Sequence, residues 1–204
     1  MVEEHIEKGG EPVRDRLLEA ALEVFNRKGY AAASVREIVN AAGVTKPSLY
    51  YYFGSKEGLY LAILQDALDT FRADLVAARG CSGTARECIL RLCERTFALS
   101  VENIQVVRLI HATFYGPAHG APTFDLMQFH GLLDAAIGEL VVAGIRAGEF
   151  RDGDATAFTA AIHGTCAYCL EGVLCGATCN LTAADVRQLI QVVIDGIGAP
   201  TPRS

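Results

Sequence analysis

The sequence predicts an all-α protein, and three observations carry that prediction. Apolar residues recur at i, i+3, i+4 and i+7 almost throughout the chain. Glycine, serine, threonine and proline punctuate those runs where helices start and stop. No period-two alternation of convincing length interrupts the pattern.

The elements follow in order. Arg14–Gly29 carries Leu17, Leu18, Ala21, Leu22 and Phe25 on one side and ends at Gly29. Ser34 is placed to cap Val35–Ala42, whose Val35, Ile38 and Val39 share a face. Gly43 breaks that helix, and Thr45 is placed to cap a third with Pro47 in its first turn, where a missing N–H costs nothing. After the Gly54-Ser55 turn, Ser55 caps a long helix from Lys56 to Ala78. Turns at Gly80–Thr84, Gly116–Pro122 and Gly148–Gly153 then delimit Ala85–Ser100, Glu102–Tyr115, Thr123–Ala147 and Asp154–Cys175. Thr182 caps the last helix, where Val186, Leu189, Ile190, Val193, Ile194 and Ile197 form one unbroken stripe. Such a stripe must be covered, by the chain's own core or by a second copy of it. The expected total is about nine helices.

Composition bounds the function. Of the 204 residues 51% are hydrophobic and 21% charged, enough for a sizeable core and too apolar for a disordered chain. A net charge of −6 argues against a wholly basic nucleic-acid coat protein, though not against a local basic face. Seven cysteines cannot all pair within one chain, so reduced thiols in a cytoplasm are expected. The polar opening Met1–Pro12 reads as a frayed tail and not as a secretory signal. Between Asp154 and Asp185 the only formal charge is Glu171, yet no run of 18 wholly apolar residues exists, so no membrane span is expected.

The most informative segment is Ser34–Lys56, SVREIVNAAGVTKPSLYYYFGSK. Two short helices joined by Ala42-Gly43-Val44 match the helix-turn-helix pattern, whose second helix lies in the DNA major groove. Between Asn26 and Lys56 stand Arg27, Lys28, Arg36, Lys46 and Lys56 against Glu37 alone. That segregation suits a phosphate-facing surface on an acidic body. Lys46, Ser48, Tyr50 and Tyr51 fall on the outer side of the third helix, while Leu49 and Phe53 fall inward. Lys56 opens the next helix, where its ammonium and the helix amides are expected to meet a phosphate. The alternatives stay open: the tyrosines as packing residues, Arg36 as a solvated helix start.

At this point Leu17–Leu64 resembles the DNA-binding domain of the TetR family of bacterial repressors. The resemblance rests on Ala20-Ala21, Phe25, Gly29-Tyr30, Val35-Arg36-Glu37-Ile38, Ala42-Gly43-Val44, Lys46-Pro47-Ser48-Leu49-Tyr50-Tyr51-Tyr52-Phe53 and Ser55-Lys56-Glu57. It implies a homodimer reading a palindromic operator in double-stranded DNA, with a small-molecule effector held in the C-terminal domain. It implies that Arg36, Thr45, Lys46, Pro47, Ser48, Tyr50 and Tyr51 touch bases or backbone, and that Tyr52 and Lys56 bind phosphate. The expected division is a tail at 1–12, a DNA-binding domain at 13–60 and an effector and dimerisation domain at 61–204.

Beyond Tyr60, ten Lys and Arg face fifteen Asp and Glu, a balance unsuited to nucleic acid. The last two helices carry the strongest apolar faces, and a dimer interface is expected from Phe158, Ile162, Cys166, Cys169, Val173, Val186, Leu189, Ile190, Val193, Ile194 and Ile197. Candidates for an apolar or aromatic effector pocket are Phe71, Leu75, Leu92, Phe97, Val107, His111, Phe114, Tyr115, Phe129, His130, Leu133 and Tyr168; ordinary core is the competing reading.

Cys166-x-x-Cys169 puts two thiols on one helical face, three residues after His163 and before Cys175 and Cys179. Buried packing, thiol-redox sensing and metal sensing are the readings, with packing preferred because no Lys or Arg lies between Arg151 and Arg187 to activate a thiolate. No metal site or cofactor is assigned. An enzyme built on Cys166, His163 and Glu171 is the remote rival; no phosphate loop, nucleophile elbow or His-Glu-x-x-His motif supports it.

Overall fold

A computed structural model describes residues 12–116, 120–176 and 181–198. The described residues form nine α-helices: α1 Val13–Lys28, α2 Val35–Ala41, α3 Lys46–Phe53, α4 Lys56–Ala78, α5 Ala85–Glu102, α6 Ile104–Tyr115, α7 Met127–Arg146, α8 Ala155–Leu174 and α9 Ala183–Ile197. Among these residues there is no strand, only one isolated antiparallel bridge between Phe150 and Gly198. Residues 1–11 of the expected tail, and Cys179, lie outside the described residues.

Two of the boundaries that differ from the sequence expectation have local reasons. The seventh helix starts at Met127 and not Thr123, because the Asp125 carboxylate accepts the Met127 N–H (3.1 Å) and begins the helix there. The fifth runs on to Glu102, where Asn103 closes it by donating from both its backbone N–H (3.1 Å) and its Nδ2 (2.9 Å) to the Leu99 carbonyl.

The chain divides into two compact units. Among the described residues, the first holds Pro12–Asp66 and those between Arg108 and Phe124; the second holds Ala67–Val107 and those from Asp125 on. In the first, α1, α2 and α3 pack on one another around Leu17, Ala21, Phe25, Ile38 and Leu49, all essentially without solvent contact. Phe25 and Tyr30 each meet Tyr60 edge-on, with centroids at 5.2 and 5.0 Å. Edge-to-face pairs of this kind contribute about 0.5–1.5 kcal/mol each beyond area burial.

In the second unit α5 lies against α7, α8 and α9, and α8 packs between α7 and α9. Ile89, Cys93, Ile137, Ile162, Cys169, Val186, Ile190 and Ile194 form its core. Close approach sets one glycine: a Cβ on Gly144 would stand 2.4 Å from the Phe150 ring. By length and composition α7 could cross a membrane, but here it carries Asp134 and Glu139 and buries Leu133, Ile137 and Val141 among the neighbouring helices.

Packing within one chain bears on two expectations. Phe158, Ile162, Cys166, Cys169, Val186, Ile190, Ile194 and Ile197, expected at a dimer interface, are buried in the chain's own core. Val173 and Val193 pack at the rim of that core, and Leu189 is partly exposed. The cysteines are not all reduced either: Cys81 and Cys88 form a disulfide across the start of α5, with Cα atoms 5.8 Å apart. The turn at Gly80–Thr84 brings the two together, a proximity that counting thiols does not reveal.

Candidate nucleic-acid interface

The interface is built on the capped helix α2, the helix α3 and one left-handed residue between them. The Ser34 Oγ accepts the Glu37 N–H (3.2 Å) and the Glu37 carboxylate accepts the Ser34 N–H (3.2 Å), a reciprocal cap that starts α2. Glu37 also accepts from the Lys28 ammonium. The Lys28 hydrogen bond, helped by those from Ser34, holds its carboxyl down to about 2. At the other end of α2, Gly43 takes φ +64°, which turns the chain tightly toward α3. The Val44 N–H reaches back to the Val39 carbonyl (2.9 Å) and satisfies a terminal acceptor.

Thr45 sits at the N-cap of α3 in extended conformation, but its hydroxyl bonds the Ser48 hydroxyl (3.0 Å) and not a helix amide. Leu49 is fully buried and anchors α3 on α1 and α2. Burying Leu49 turns its neighbours outward: Tyr50, Tyr51 and Tyr52 are 50%, 84% and 46% exposed. Phe53 is half-buried, as the four-residue spacing from Leu49 predicts. Thr45, Lys46, Pro47 and Arg36 are also exposed, and Ser48 is half-buried.

The five basic residues divide by their partners. Arg27 is paired with Glu23 (2.8 Å) and Lys28 with Glu37. Lys56 donates to the carbonyl oxygens of Tyr30 (2.8 Å) and Ala33 (2.9 Å), with its ammonium 4.2 Å from the Tyr30 ring centre. Its expected phosphate therefore meets an ammonium already engaged with the α1–α2 connection. Among the described residues, Arg36 and Lys46 make no ion pair or side-chain hydrogen bond and stand open on the surface. Spacing placed Lys56 at a helix start correctly; the two carbonyls that hold it are 26 and 23 residues away in sequence, beyond any local signal.

The expected pocket residues are divided between the units. His111, Phe114 and Tyr115 belong to the first, where Tyr115 stacks near His111 (4.6 Å) and Phe114 (4.7 Å). Phe71, Leu75, Leu92, Phe97 and Leu133 join the core of the second, and Phe71 meets Phe129 at 5.6 Å. Val107 is half-buried. Tyr168 is 71% exposed, because Cys166 and Cys169 take the inward positions of that turn of α8 and leave it facing out. It therefore lines no interior site of this chain.

A polar cluster missed by sequence reasoning lies across α7 and α8. His163 Nδ1 is bonded to Asp134 (2.6 Å), and its Nε2 to His130 Nδ1 (3.2 Å). Burial, then the neighbouring His163, lowers the affinity of His130 for a proton. His163 thus spends both ring nitrogens on Asp134 and His130 and not on Cys166, its partner in the remote enzyme reading. Among the described residues no group of three or more His, Cys, Asp and Glu is arranged to hold a metal ion.

Residues 17–63 match the sequence profile of bacterial regulatory proteins of the tetR family. The HTH-type transcriptional regulator BetI of Rhizobium meliloti is 40% identical over 90 residues, which are 44% of each chain. The HTH-type transcriptional activator FasR of Mycolicibacterium smegmatis is 39% identical over 102 residues, 50% of this chain and 47% of that one. The matched stretch thus spans under half the length of these curated relatives. In three dimensions the chain resembles the transcriptional regulator FadR of Bacillus subtilis, crystallised with stearoyl-CoA, at a TM-score of 0.68. That likeness has 21% identity and covers 90% of this chain and 98% of that one, and it speaks to the fold. Residues 17–63 thus match the helix-turn-helix domain of the tetR family of bacterial regulatory proteins, and the chain as a whole carries an all-helical fold similar to that of a solved transcriptional regulator.

Proposed function

We propose that the chain is a cytoplasmic, homodimeric transcriptional regulator, acting as a repressor, that binds palindromic operator DNA and is released by a small-molecule effector. The observation that carries this reading is the outward face of the helix-turn-helix, where Arg36, Lys46, Tyr50 and Tyr51 stand exposed in a domain matching DNA-binding regulators. In this reading residues 13–60 bind DNA and residues 61–204 bind effector and partner. Lys46 donates to guanine or phosphate, and the tyrosine rings lie against thymine methyls. Thr45, Pro47 and Ser48 approach the backbone at the start of α3, and Arg36 and Tyr52 meet phosphates. Lys56 acts by holding the α1–α2 connection in place.

The effector is proposed to be largely apolar or aromatic. The Phe71–Phe129 contact and the stearoyl-CoA bound by the structurally similar FadR support that class. Effector binding would favour a separation of the two α3 helices that no longer matches successive major grooves, about 34–36 Å apart in B-DNA. Helix α4, continuous from Lys56 to Ala78, is the proposed lever. The outward residues Tyr168, Leu189 and Val192 on α8 and α9 are proposed to meet the second copy. No enzymatic reaction, cofactor or membrane partner belongs to this reading. The alternative is a thiol-redox or metal-responsive regulator of the same fold using Cys166 and Cys169.

The test is a fluorescence-anisotropy titration of the reduced protein against DNA flanking its own gene, with an unrelated duplex of equal length. Preferential binding to the flanking DNA is expected, with a stoichiometry of two chains per site. Equal binding to both duplexes counts against the operator assignment.

A further inference from the structure

The turn between α4 and α5 carries the Cys81–Cys88 disulfide, and other bonds hold that turn without its help. Cys81 stands half-buried three residues past the end of α4, while Cys88, the fourth residue of α5, is 5% exposed. Their Cα separation of 5.8 Å lies in the range a disulfide requires. Helix α5 starts on a reciprocal cap: the Thr84 Oγ1 accepts the Glu87 N–H (3.2 Å) and the Glu87 carboxylate accepts the Thr84 N–H (3.3 Å). The Glu149 carboxylate accepts the next two amides, those of Ala85 and Arg86 (3.1 Å each). Arg91 donates to the Ser82 carbonyl (3.0 Å), and the Cys81 N–H to the Ala78 carbonyl (3.2 Å).

We propose that Cys81 and Cys88 form a reversible redox site, opened by soluble dithiols and closed by small disulfides, and not a permanent structural crosslink. Access selects the sulfur attacked: Cys81 reaches solvent on the turn, and Cys88 is enclosed. A thiolate of the dithiol attacks the Cys81 sulfur, the S–S bond breaks, and Cys88 leaves as a thiolate that takes a proton from solvent. The dithiol's second sulfur then gives up its proton and attacks the first, releasing Cys81 as a thiolate that is protonated in turn. Two electrons and two protons thus pass to the pair, and the dithiol leaves as a disulfide. Closing reverses the flow. The Cys81 thiolate attacks a small disulfide and expels one thiol; Cys88 loses its proton, attacks the Cys81 sulfur and expels the other.

The same turn provides for the open state. The Cys81 carbonyl oxygen lies 3.6 Å from the Cys88 sulfur, so the enclosed thiol has an acceptor at hand once the bond opens. The Cys81 sulfur has the Ser82 carbonyl at 3.8 Å. Because the Thr84–Glu87 cap and Glu149 hold the start of α5 in either state, the two sulfurs stay close enough to rejoin. What the disulfide adds is a tie from the turn after α4 to α5, released on reduction. An effect on DNA binding through α4 would rest on the function proposed above; opening and closing the site does not.

The experiment equilibrates the folded, full-length protein with oxidised glutathione or with dithiothreitol, blocks free thiols, then unfolds and digests it with trypsin for mass spectrometry. Cleavage after Arg79, Arg86 and Arg91 puts the two cysteines on separate peptides, Gly80–Arg86 and Glu87–Arg91. Oxidised glutathione is expected to yield these peptides linked. Dithiothreitol should return both as blocked thiols with the helical circular dichroism unchanged, and exchange back into oxidised glutathione should restore the link. Cys81→Ser should keep the helical signal and never yield the linked pair. A link that resists dithiothreitol until the protein is unfolded overturns the proposal, as does one that fails to form in the folded protein or to return after reduction. Loss of helical signal on reduction or in Cys81→Ser overturns it too, because the bond is then structural. Cycling in a protein that binds no DNA in the anisotropy titration upholds the redox site and sinks the regulator.

Discussion

The Tyr60 hydroxyl donates to the Thr113 Oγ1 at 2.5 Å, and the direction of that bond is settled by its neighbour. The single hydroxyl proton of Thr113 is already spent on the Leu109 carbonyl (2.6 Å), so the phenol must be the donor. Tyr60 is 1% exposed, and burial pushes its phenol above its ordinary pKa despite the Thr113 bond. The pair ties the start of α4 to the end of α6 within the first unit.

That polarity makes the two halves of the bond unequal. Tyr60→Phe removes one donor and leaves Thr113 satisfied by Leu109, with an expected cost of about 1 kcal/mol. Thr113→Val leaves a phenol without an acceptor in the core and should cost about 1–3 kcal/mol. Urea unfolding of both variants checks the order; a larger loss for Tyr60→Phe would reverse the assigned donor.

Lys56 and Lys46 should respond differently to removal of charge. Lys46→Ala loses an open ammonium and is expected to reduce the salt slope of operator binding by about one. Lys56→Ala frees two backbone carbonyls instead and should lower thermal stability and weaken all DNA together. Its salt slope should stay near that of the wild type. A drop of one for Lys56→Ala would return it to the phosphate.

Glu37 makes the α2 cap sensitive to acid. Its carboxyl is held near 2 in the fold by the Lys28 and Ser34 hydrogen bonds, against an ordinary value of 4.5. A depressed folded pKa means that the stabilisation is complete above the unfolded pKa and is lost as pH falls from about 4.5 toward 2. Melting temperature measured from pH 6 to pH 2 should fall more steeply in the wild type than in Glu37→Gln, which lacks the titration. Parallel curves would refute the linkage.

The proposed partner face is open to a direct test. Val192 is 72% exposed on α9, while Ile190 and Ile194 beside it are fully buried. Val192→Glu should leave the helical circular dichroism intact and shift light-scattering mass from dimer to monomer. An unchanged mass would place the interface elsewhere. Ile190→Glu, by contrast, should unfold the second unit, because it buries a charge in the chain's own core.

The elements were legible because their determinants are local. Ser34 with Glu37 three residues on, Gly43 between two short helices, and Leu49 four residues before Phe53 act within one or two helical turns. The same short range makes Lys46–Phe53 legible as a short helix. What covers an apolar stripe is decided by distant elements. Val186, Ile190 and Ile194 read equally well as core or as interface until α5 is seen lying across them. For the same reason, spacing placed Lys56 at a helix start without disclosing the carbonyls that hold it. Helix periodicity is written in neighbouring residues, so the sequence alone determined the helices and the DNA-facing motif. Which faces meet is set by packing between residues tens of positions apart, and only the tertiary structure decided it.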